Sequence, residues 1–445
     1  MSLLVLLFPF QVAALAPMPA AGSPAPPPVS ATVTIDDAVG AALAHHPDVV
    51  VAGAQIDAAH AQARQARAPL LPQLNASGRY DYSWSDSSGR FGDPGTGTGT
   101  GNGSGSSGDS YSASLSGGVL LWDFGQTKNR WRSALESADA VEGGAEATRQ
   151  TTVLEARLAF FDALETRALI QVARETLDNQ QRHLSQTEEF VKIGTRPEID
   201  LAKLRTQVAE AKSALIRAEN DYRTAKARLN RAMGTSGSIE YDVAPAPLAP
   251  LAVEEQPTEK LYAVAVGQRP ERLAQLATIR AQEADLRAAR VWLLPALRLG
   301  ADASYTGQDF GDPTLGASVG VTLSWNLFDG LGSPAAVDAS RAQLVVQKAR
   351  LTGVQQQVWQ DLEQARIGVG SAKAEEESAE LAVVSARELL RLANERYAAG
   401  VGSALELSDA EVEVANASAQ RVKVTYDVAT ARAQLLRALG RRDWR

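Results

Sequence analysis

Two hexapeptides in this chain, Arg67-Ala68-Pro69-Leu70-Leu71-Pro72 and Arg290-Val291-Trp292-Leu293-Leu294-Pro295, share four residues at an offset of 223. The tetrapeptide Arg231-Ala232-Met233-Gly234 likewise recurs as Arg437-Ala438-Leu439-Gly440, at an offset of 206. The offset changes because the second copy has a shorter loop in place of the Gly/Ser-rich tract 83–110. The chain therefore contains two copies of one supersecondary unit, and such units usually bury their apolar faces by stacking on copies of themselves.

The composition favours long, closely packed helices and narrows the classes of function. Of the 445 residues, 45% are hydrophobic but only 6% are aromatic. The formal net charge is -8 and no Lys/Arg run resembles a phosphate-binding stripe, so nucleic acid is not expected as a partner. Because the chain has no cysteine, it can form neither a disulfide nor a thiolate metal site.

The first residues are typical of an export signal. Residues 3–8 form an apolar run too short to span a bilayer, and the small-residue pattern Ala14-Leu15-Ala16 follows. A basic start is missing and Pro17 disfavours cleavage after Ala16, so either the true start lies upstream or the cut lies near Ala20 or Ala21. We therefore predict a signal peptide and Pro/Ala-rich leader over residues 1–30.

Four segments alternate apolar and polar residues: 73–84, 111–122, 296–306 and 314–326. Leu115 alternates with Ser114 and Ser116, for example, which predicts strands with one apolar and one polar face. Their length matches the roughly 9 to 11 tilted residues of a membrane strand, although a soluble sheet with one wet face has the same pattern. Aromatic residues near the strand ends are the predicted membrane-interface anchors: Tyr80, Tyr82, Trp84, Tyr111, Trp122, Tyr305, Trp325 and Phe328.

Two long segments, 127–193 and 335–399, have helical patterning without a single proline. At 1.5 Å per residue each predicts a rod of about 100 Å, which a globular core cannot accommodate, so coiled-coil packing against neighbours is expected. Each rod ends at a glycine suited to a left-handed helix cap, Gly194 or Gly400, before a returning helix. The sequence therefore predicts two long helical hairpins.

With these motifs in order, the chain resembles the TolC-like outer membrane efflux protein family over nearly all of its length after the leader. The resemblance rests on the duplicated Leu-Leu-Pro entries to the hairpins, the exits Leu121-Trp122-Asp123 and Leu327-Phe328-Asp329, and the tips 190–195 and 397–402. It implies a mainly α fold with a membrane β-barrel, in which a homotrimer forms a 12-stranded outer-membrane β-barrel continued by a periplasmic α-helical barrel. The repeats would span 31–234 and 259–445, with the linker 235–258 in an equatorial belt.

The strand count by itself requires several subunits. Four strands cannot close a barrel, and an open sheet edge in hydrocarbon leaves amide groups unpaired at a cost of several kcal/mol each. Subunits must therefore pool their strands, whereas the number three comes from the resemblance alone.

The resemblance also implies a function and its residues. Family members are channels in the outer membrane of Gram-negative bacteria, in contact with its lipid, and a periplasmic adaptor protein and an inner-membrane pump of RND or ABC type complete an efflux or type I secretion system. The closed periplasmic gate would carry Asp200, Glu406 and Asp409, and the adaptor would dock at Gly194, Thr195, Gly400, Val401 and Gly402. The gate arginine expected at position 402 is a glycine here, while an arginine, Arg196, occupies the corresponding place in the first repeat. The alternative for the three acids is that they are ordinary solvated residues at helix starts.

Signals for an enzyme are poor, so we expect no catalytic residue, cofactor or bound metal. The four histidines, His45, His46, His60 and His183, lack a carboxylate or Cys partner at metal-ligand spacing and are interpreted as helix-surface residues. The run 103–108 fits a dinucleotide-binding pattern by letter, but it lies in low-complexity sequence with no helix after it. Two other classes remain: a periplasmic adaptor, which would carry one helical hairpin, and a structural coiled-coil protein, which would lack the strands.

Overall fold

The computed structural model describes residues 32–85, 106–194, 196–246, 250–307 and 314–440. The predicted signal peptide and leader, most of the Gly/Ser-rich tract and Thr195 lie outside these residues. In chain order the first repeat contains β1 (Thr32–Val33), α1 (Ile35–His45), α2 (Pro47–Arg67), β2 (Gln73–Ser85), β3 (Ser106–Trp122), α3 (Gln126–Lys192) and α4 (Glu198–Ala232). After β4 (Asp242–Val243) come α5 (Thr258–Gln268), α6 (Pro270–Arg290), β5 (Ala296–Gly307), β6 (Thr314–Ser324), α7 (Gly332–Ala398) and α8 (Ala404–Ala438).

The fold is mainly helical, as the sequence predicted, and both long helices contain 67 residues. None of the helices in the described ranges combines the length and apolar composition needed to cross a membrane.

Two compact units share the chain, and each takes segments from both repeats. The first contains Met1–Pro47, Thr152–Leu251 and Val369–Ala433, and the second contains Asp48–Thr151, Ala252–Gly368 and Gln434–Arg445. The units therefore differ from the two repeats predicted along the sequence. The reason is that equivalent elements of the repeats pack beside one another, so that structural neighbours are distant in the chain.

The segment before each strand hairpin is two helices. Helical patterning spans Asp36 to Ala66 in the sequence, but α1 ends at His45 and α2 begins at Pro47. His46 between them is extended, at φ -65° and ψ 130°, because the ring of a following proline disfavours the helical conformation. Arg269 has the same role before Pro270, at φ -65° and ψ 119°.

The second unit contains a four-stranded antiparallel sheet in the order β2-β3-β5-β6. Its register places apolar residues opposite one another: Ala76 pairs with Leu115, Leu115 with Ala303, and Ala303 with Ala317. The neighbouring row is polar, with Ser77 opposite Ser114 and their hydroxyl oxygens 2.7 Å apart. One face of the sheet is therefore apolar across all four strands, and Val319 and Leu315 on it are each 77% exposed in the single chain.

The strands differ from the sequence prediction mainly at three places, while β2 and β5 each extend one residue further than predicted. β3 begins at Ser106 rather than 111, because backbone pairing with β2 continues past the last apolar side chain to Ser85. A shift in register between Leu120 and Trp122 removes Leu121 from the apolar row and puts Trp122 opposite Leu297. β6 ends at Ser324 rather than 326, and Trp325 instead donates from Nε1 to the Leu293 carbonyl oxygen at 2.9 Å.

The aromatic side chains predicted at the membrane interface are exposed to varying degrees. Tyr82, Trp84 and Trp122 are each at least 60% exposed, and Phe328 is 75% exposed. Trp325 and Phe328 lie just beyond β6 rather than on it. Tyr111 and Tyr305 lie on adjacent strands, with ring centroids 5.9 Å apart.

Helix packing in the second unit depends on a glycine. A Cβ atom built on Gly143 of α3 would lie 2.9 Å from the Ala274 Cβ of α6, whereas one on Gly144 would meet nothing within 4 Å. The first glycine thus permits close approach of two helices. Nearby, the buried Arg269 side chain pairs with Asp361 and lies 3.3 Å from a Glu271 oxygen, which compensates its charge.

The end of each repeat's last helix lies against the junction between the first two helices of the same repeat. Gly234 and Gly440, the last residues of the duplicated tetrapeptide, both have a φ of +70°. A Cβ on Gly234 would lie 2.5 Å from His46, and a Cβ on Gly440 would lie 3.1 Å from the Arg269 nitrogen. Only glycine allows the left-handed turn and the close contact together.

Candidate functional site at the helical hairpin tips

The two hairpin tips, residues 190–200 and 393–411, are built in the same way in the first unit. α3 ends at Lys192 and α7 at Ala398, and the glycine two residues later has a φ of +78° (Gly194) or +77° (Gly400). The Gly194 and Gly400 nitrogens donate to the carbonyl oxygens of Val191 and Tyr397. These are the predicted glycine helix caps, and they reverse the chain into α4 and α8.

Arg196 of the first tip binds the second tip. Its guanidinium carbon lies 4.2 Å from the centroid of the Tyr397 ring, a cation–π geometry. Its Nη2 donates to the Tyr397 carbonyl oxygen at 3.0 Å, and both Nη atoms lie 3.4 Å from the Gly402 carbonyl oxygen. The arginine thus adds a second donor to the Tyr397 carbonyl oxygen and lies against the Gly402 carbonyl in the turn after α7.

Steric crowding explains why position 402 is a glycine. Gly402 is buried, and a Cβ atom there would lie 2.9 Å from the Tyr397 nitrogen and 3.0 Å from the Arg396 carbonyl carbon. Its nitrogen donates to the Arg396 carbonyl oxygen at 2.8 Å, which holds the backbone in this tight turn. An arginine at 402 would not fit this turn, and Arg196 contacts the same turn from the other tip.

Tyr397 is the residue that sequence reasoning missed. It is 5% exposed, and its hydroxyl oxygen lies 3.1 Å from Thr187 Oγ1 of α3. Its ring packs in a cluster with Ala393, Leu407 and Ala410, against Phe190 of the first hairpin. Tyr397 stands within the second tip motif, but its partners on α3 are about 200 residues away and the motif alone does not indicate them.

The three predicted gate carboxylates have different surroundings. Glu406 is the third residue of α8, and its Oε1 lies 3.1 Å from Arg396 Nε of α7. Asp200 is the third residue of α4, half-buried, and Asp409 is exposed on α8. In the described part of the chain the side chains of Asp200 and Asp409 make no hydrogen bond or ion pair. One predicted gate charge is therefore compensated within the chain and two are not.

Apolar side chains are exposed around the tip glycines. Ile193, Ile199, Val401 and Leu405 are 69%, 73%, 71% and 56% exposed. Among the predicted docking residues, Gly194, Gly400 and Val401 are exposed and Gly402 is buried. The tips thus present a small apolar surface around accessible backbone.

One histidine is largely covered where a helix-surface residue was expected. His183 of α3 is 15% exposed, and its Nε2 lies 2.6 Å from Oε1 of Glu411, a buried residue of α8. Gln180 donates from Nε2 to the other Glu411 oxygen at 2.7 Å. The surface interpretation was wrong for His183 because its carboxylate partner comes from a distant helix. Within the described ranges, no cluster of three or more His, Asp or Glu residues is arranged to hold a metal ion.

Comparisons with known proteins agree with this architecture. The sequence profile of the outer membrane efflux protein family matches residues 38–235 and 261–441, which takes in most of both repeats. Protein CyaE of Bordetella pertussis is 25% identical over 432 residues, covering 95% of this chain and 87% of CyaE. The outer membrane efflux protein BepC of Brucella suis is 26% identical over 333 residues, covering 72% of this chain and 70% of BepC.

Solved structures have the same fold. The Campylobacter jejuni CmeC outer membrane channel superimposes with a TM-score of 0.76 at 17% identity, covering 91% of this chain and 85% of CmeC. Both duplicated units take part in these matches, which a single-hairpin adaptor or a strandless coiled coil would not allow.

Proposed function

Because the chain belongs to the outer membrane efflux protein family, we propose that Arg196 latches the closed periplasmic end of a channel. The protein is an outer membrane channel of a tripartite efflux or secretion system and extends into the periplasm. It works as a trimer with a periplasmic adaptor and an inner-membrane pump. Energy comes from that pump, since the channel itself offers only a passive path.

The observation that carries the latch is the position of Arg196 across the two tips. Its guanidinium contacts a ring and two carbonyl oxygens of the second tip, while its backbone belongs to the first. Separation of the tips would break all of these contacts together. A latch of this kind holds a closed state only to the extent that its contacts are absent from the open state.

The proposed selectivity of the gate rests on the acids beside the latch. In a trimer, each of Asp200, Glu406 and Asp409 would occur three times around the channel axis, and such rings favour cations. Arg396 lies beside Glu406, so the uncompensated charge comes mainly from Asp200 and Asp409. The proposal therefore assigns cation preference chiefly to these two aspartates.

Docking of the adaptor is proposed at the exposed part of the tips. Gly194, Gly400 and Val401 are exposed and leave the backbone accessible to another protein's helical tips, and the proposal includes Thr195 by its place in the sequence. The exposed Ile193, Ile199 and Leu405 add apolar area that a partner can bury. Buried Gly402 would shape this surface without touching the adaptor.

Currents through purified protein in planar bilayers test the latch directly. Arg196→Ala should raise the current of the undocked channel, while the trimer and its insertion stay as in the unaltered protein. An unaltered closed-state current would remove Arg196 from the gate and leave the channel function untouched.

A further inference from the structure

A cleft in the first unit lies far from the tips, and the channel function does not use it. It has a volume of about 670 Å³ and is lined by residues of α3, α4, α8 and the segment after β4. Arg167 on its wall is roughly 40 Å from Gly194, counted along α3 at 1.5 Å per residue. The volume lies within the range of small-ligand sites, roughly 300 to 1,000 Å³.

Positive charge predominates in the cleft. Its lining contains two carboxylates, Glu219 and Asp242, and four cationic side chains: Arg167, Arg174, Arg223 and Lys226. Each of the two carboxylates already pairs with one of these cationic side chains. Arg167 Nη2 lies 2.7 Å from Asp242 Oδ2, and Arg174 Nη2 lies 3.4 Å from Glu219 Oε1. Arg223 and Lys226 form no ion pair with these two carboxylates.

Neither Arg223 nor Lys226 forms an ion pair with a carboxylate among the described residues. Lys226 Nζ donates to the Tyr241 carbonyl oxygen at 3.0 Å and lies 4.7 Å from the Tyr222 ring centroid. Burial lowers the pKa of Lys226, and the nearby Arg223 lowers it further, while Asp242 and Glu240 oppose the shift. The exposed Arg223 side chain makes no hydrogen bond or ion pair within the described ranges. A bound anion would stabilise both cations.

The remaining walls are aromatic and apolar. Tyr222 and Tyr426 line the cleft, together with Leu164 and Ile170. Aromatic rings offer flat faces to the C–H faces of sugars and to short aliphatic groups, while the cations can pair with carboxylates. The combination fits a ligand in which carboxylates lie next to sugar rings.

The undescribed segments that belong to the first unit do not supply this anion. Residues 1–31 and 247–249 contain no Asp or Glu, whereas the undescribed segments 86–105 and 308–313 of the second unit contain Asp86, Asp93, Asp309 and Asp312. Another molecule of the periplasm can supply it. We propose that the cleft binds the carboxylate-bearing glycan–peptide strands of the cell wall, and so anchors the channel where it crosses that layer.

Co-sedimentation of the purified full-length trimer with isolated peptidoglycan sacculi tests this proposal. Arg223→Glu with Lys226→Glu should weaken binding by roughly tenfold or more, because attraction becomes repulsion. Lys212→Glu with Arg217→Glu changes the charge equally on the same helix, at exposed positions outside the cleft, and should bind like the unaltered trimer. Arg223→Gln with Lys226→Gln is a milder second variant if the Glu pair fails to assemble.

Competition identifies the ligand. A soluble N-acetylmuramyl peptide should displace the trimer from sacculi, while inorganic phosphate at equal ionic strength should not. Undiminished binding by the cleft variants, an equal loss in the control variant, or equal displacement by phosphate would each overturn the proposal. Loss of the trimer by both cleft variants would also overturn it, because the cleft would then be a contact between copies of the chain.

Discussion

The guanidinium of Arg196 stacks on the ring of Tyr397, 4.2 Å from the ring centroid. An arginine of the first hairpin tip thus contacts a buried aromatic side chain of the second. The two residues are separated by about 200 positions in the chain. Their contact places an arginine of the first repeat where the resemblance led us to expect one from the second.

The first prediction concerns this contact. A cation–π pair contributes about 0.5 to 2 kcal/mol, and hydrogen bonds from a charged group about 1.5 to 3 kcal/mol, so Arg196→Ala should shift the closed–open equilibrium at least roughly tenfold toward open. Single-channel recording measures the shift. Arg196→Lys should have an intermediate effect, since lysine keeps the charge but loses the planar fork. Arg205→Ala removes an exposed ion pair with Glu188 and is the matched control.

The second prediction separates the gate acids. Asp200→Asn and Asp409→Asn should each reduce cation preference and block by a trivalent cation, and Glu406→Gln should do so less because Arg396 already compensates Glu406. Reversal potentials in asymmetric salt measure the preference. Asp302→Asn, on the polar row of the sheet opposite Ser116 and Ser318, is the control and should change selectivity less. Equal selectivity in all four variants would return the acids to solvated helix-start residues.

The third prediction concerns the membrane face of the sheet. Val319→Arg should cost roughly 2 to 4 kcal/mol near the bilayer midplane and lower the yield of trimer, because Val319 lies in the apolar row opposite Ala301. Ser318→Arg, one residue away in the polar row, should be tolerated. Heat-modifiable migration of the extracted protein measures trimer yield. Equal tolerance of arginine at both positions would contradict the assignment of faces.

The fourth prediction uses adjacent glycines of α3. Gly144→Ala should be neutral or stabilise by up to about 1 kcal/mol, since alanine favours helix and the site is open. Gly143→Ala should destabilise by about 1 to 3 kcal/mol, because its Cβ would overlap Ala274 and force α3 and α6 apart. The midpoint of thermal unfolding in detergent is measured for both variants, each of which adds a single methyl group. A similar midpoint for both would mean that α6 moves without cost.

The fifth prediction concerns the start of α1. Thr34 and Asp37 form a capping box, with the Thr34 hydroxyl and nitrogen both donating to Asp37 Oδ2. The Thr34 side-chain hydrogen bond is the main cause that lowers the pKa of Asp37, and the backbone bond adds to it. A carboxylate with a lowered pKa stabilises the fold above its unfolded pKa, and this contribution is lost as the pH falls through the folded value.

Amide hydrogen exchange in α1 reports the effect of the cap. Protection should decline below about pH 3.8 in the unaltered protein, and Asp37→Asn should remove that decline. Thr34→Ala should lower protection by about 1 kcal/mol at neutral pH. The opposite slope, with protection rising as the pH falls, would show that the carboxylate does not cap the helix.

Local patterns predicted the elements of this fold well, because alternation and proline placement act over a few residues. The long helices run 126–192 and 332–398, against the predicted 127–193 and 335–399. The register shift at Leu121 escaped prediction, since a single extra residue leaves composition unchanged and redirects only the side chains beyond it. Sequence reasoning also placed Arg196 at the gate without its partner, because Tyr397 reaches it only through packing of α3 against α7.

Gly234 and Gly440 end their repeats against His46 and Arg269, at the start of the same repeat in each case. Each half of the chain therefore ends its last helix against its own first helices, and in the second half Gln150 of the first repeat also donates to the Gly440 carbonyl oxygen at 3.4 Å. Duplication of a unit with this closure is the simplest origin of the two repeats, because six single units supply as many strands as three double ones. Fragment complementation follows from the same closure: two polypeptides divided in the linker near Pro250 should co-fold and assemble into the intact pore.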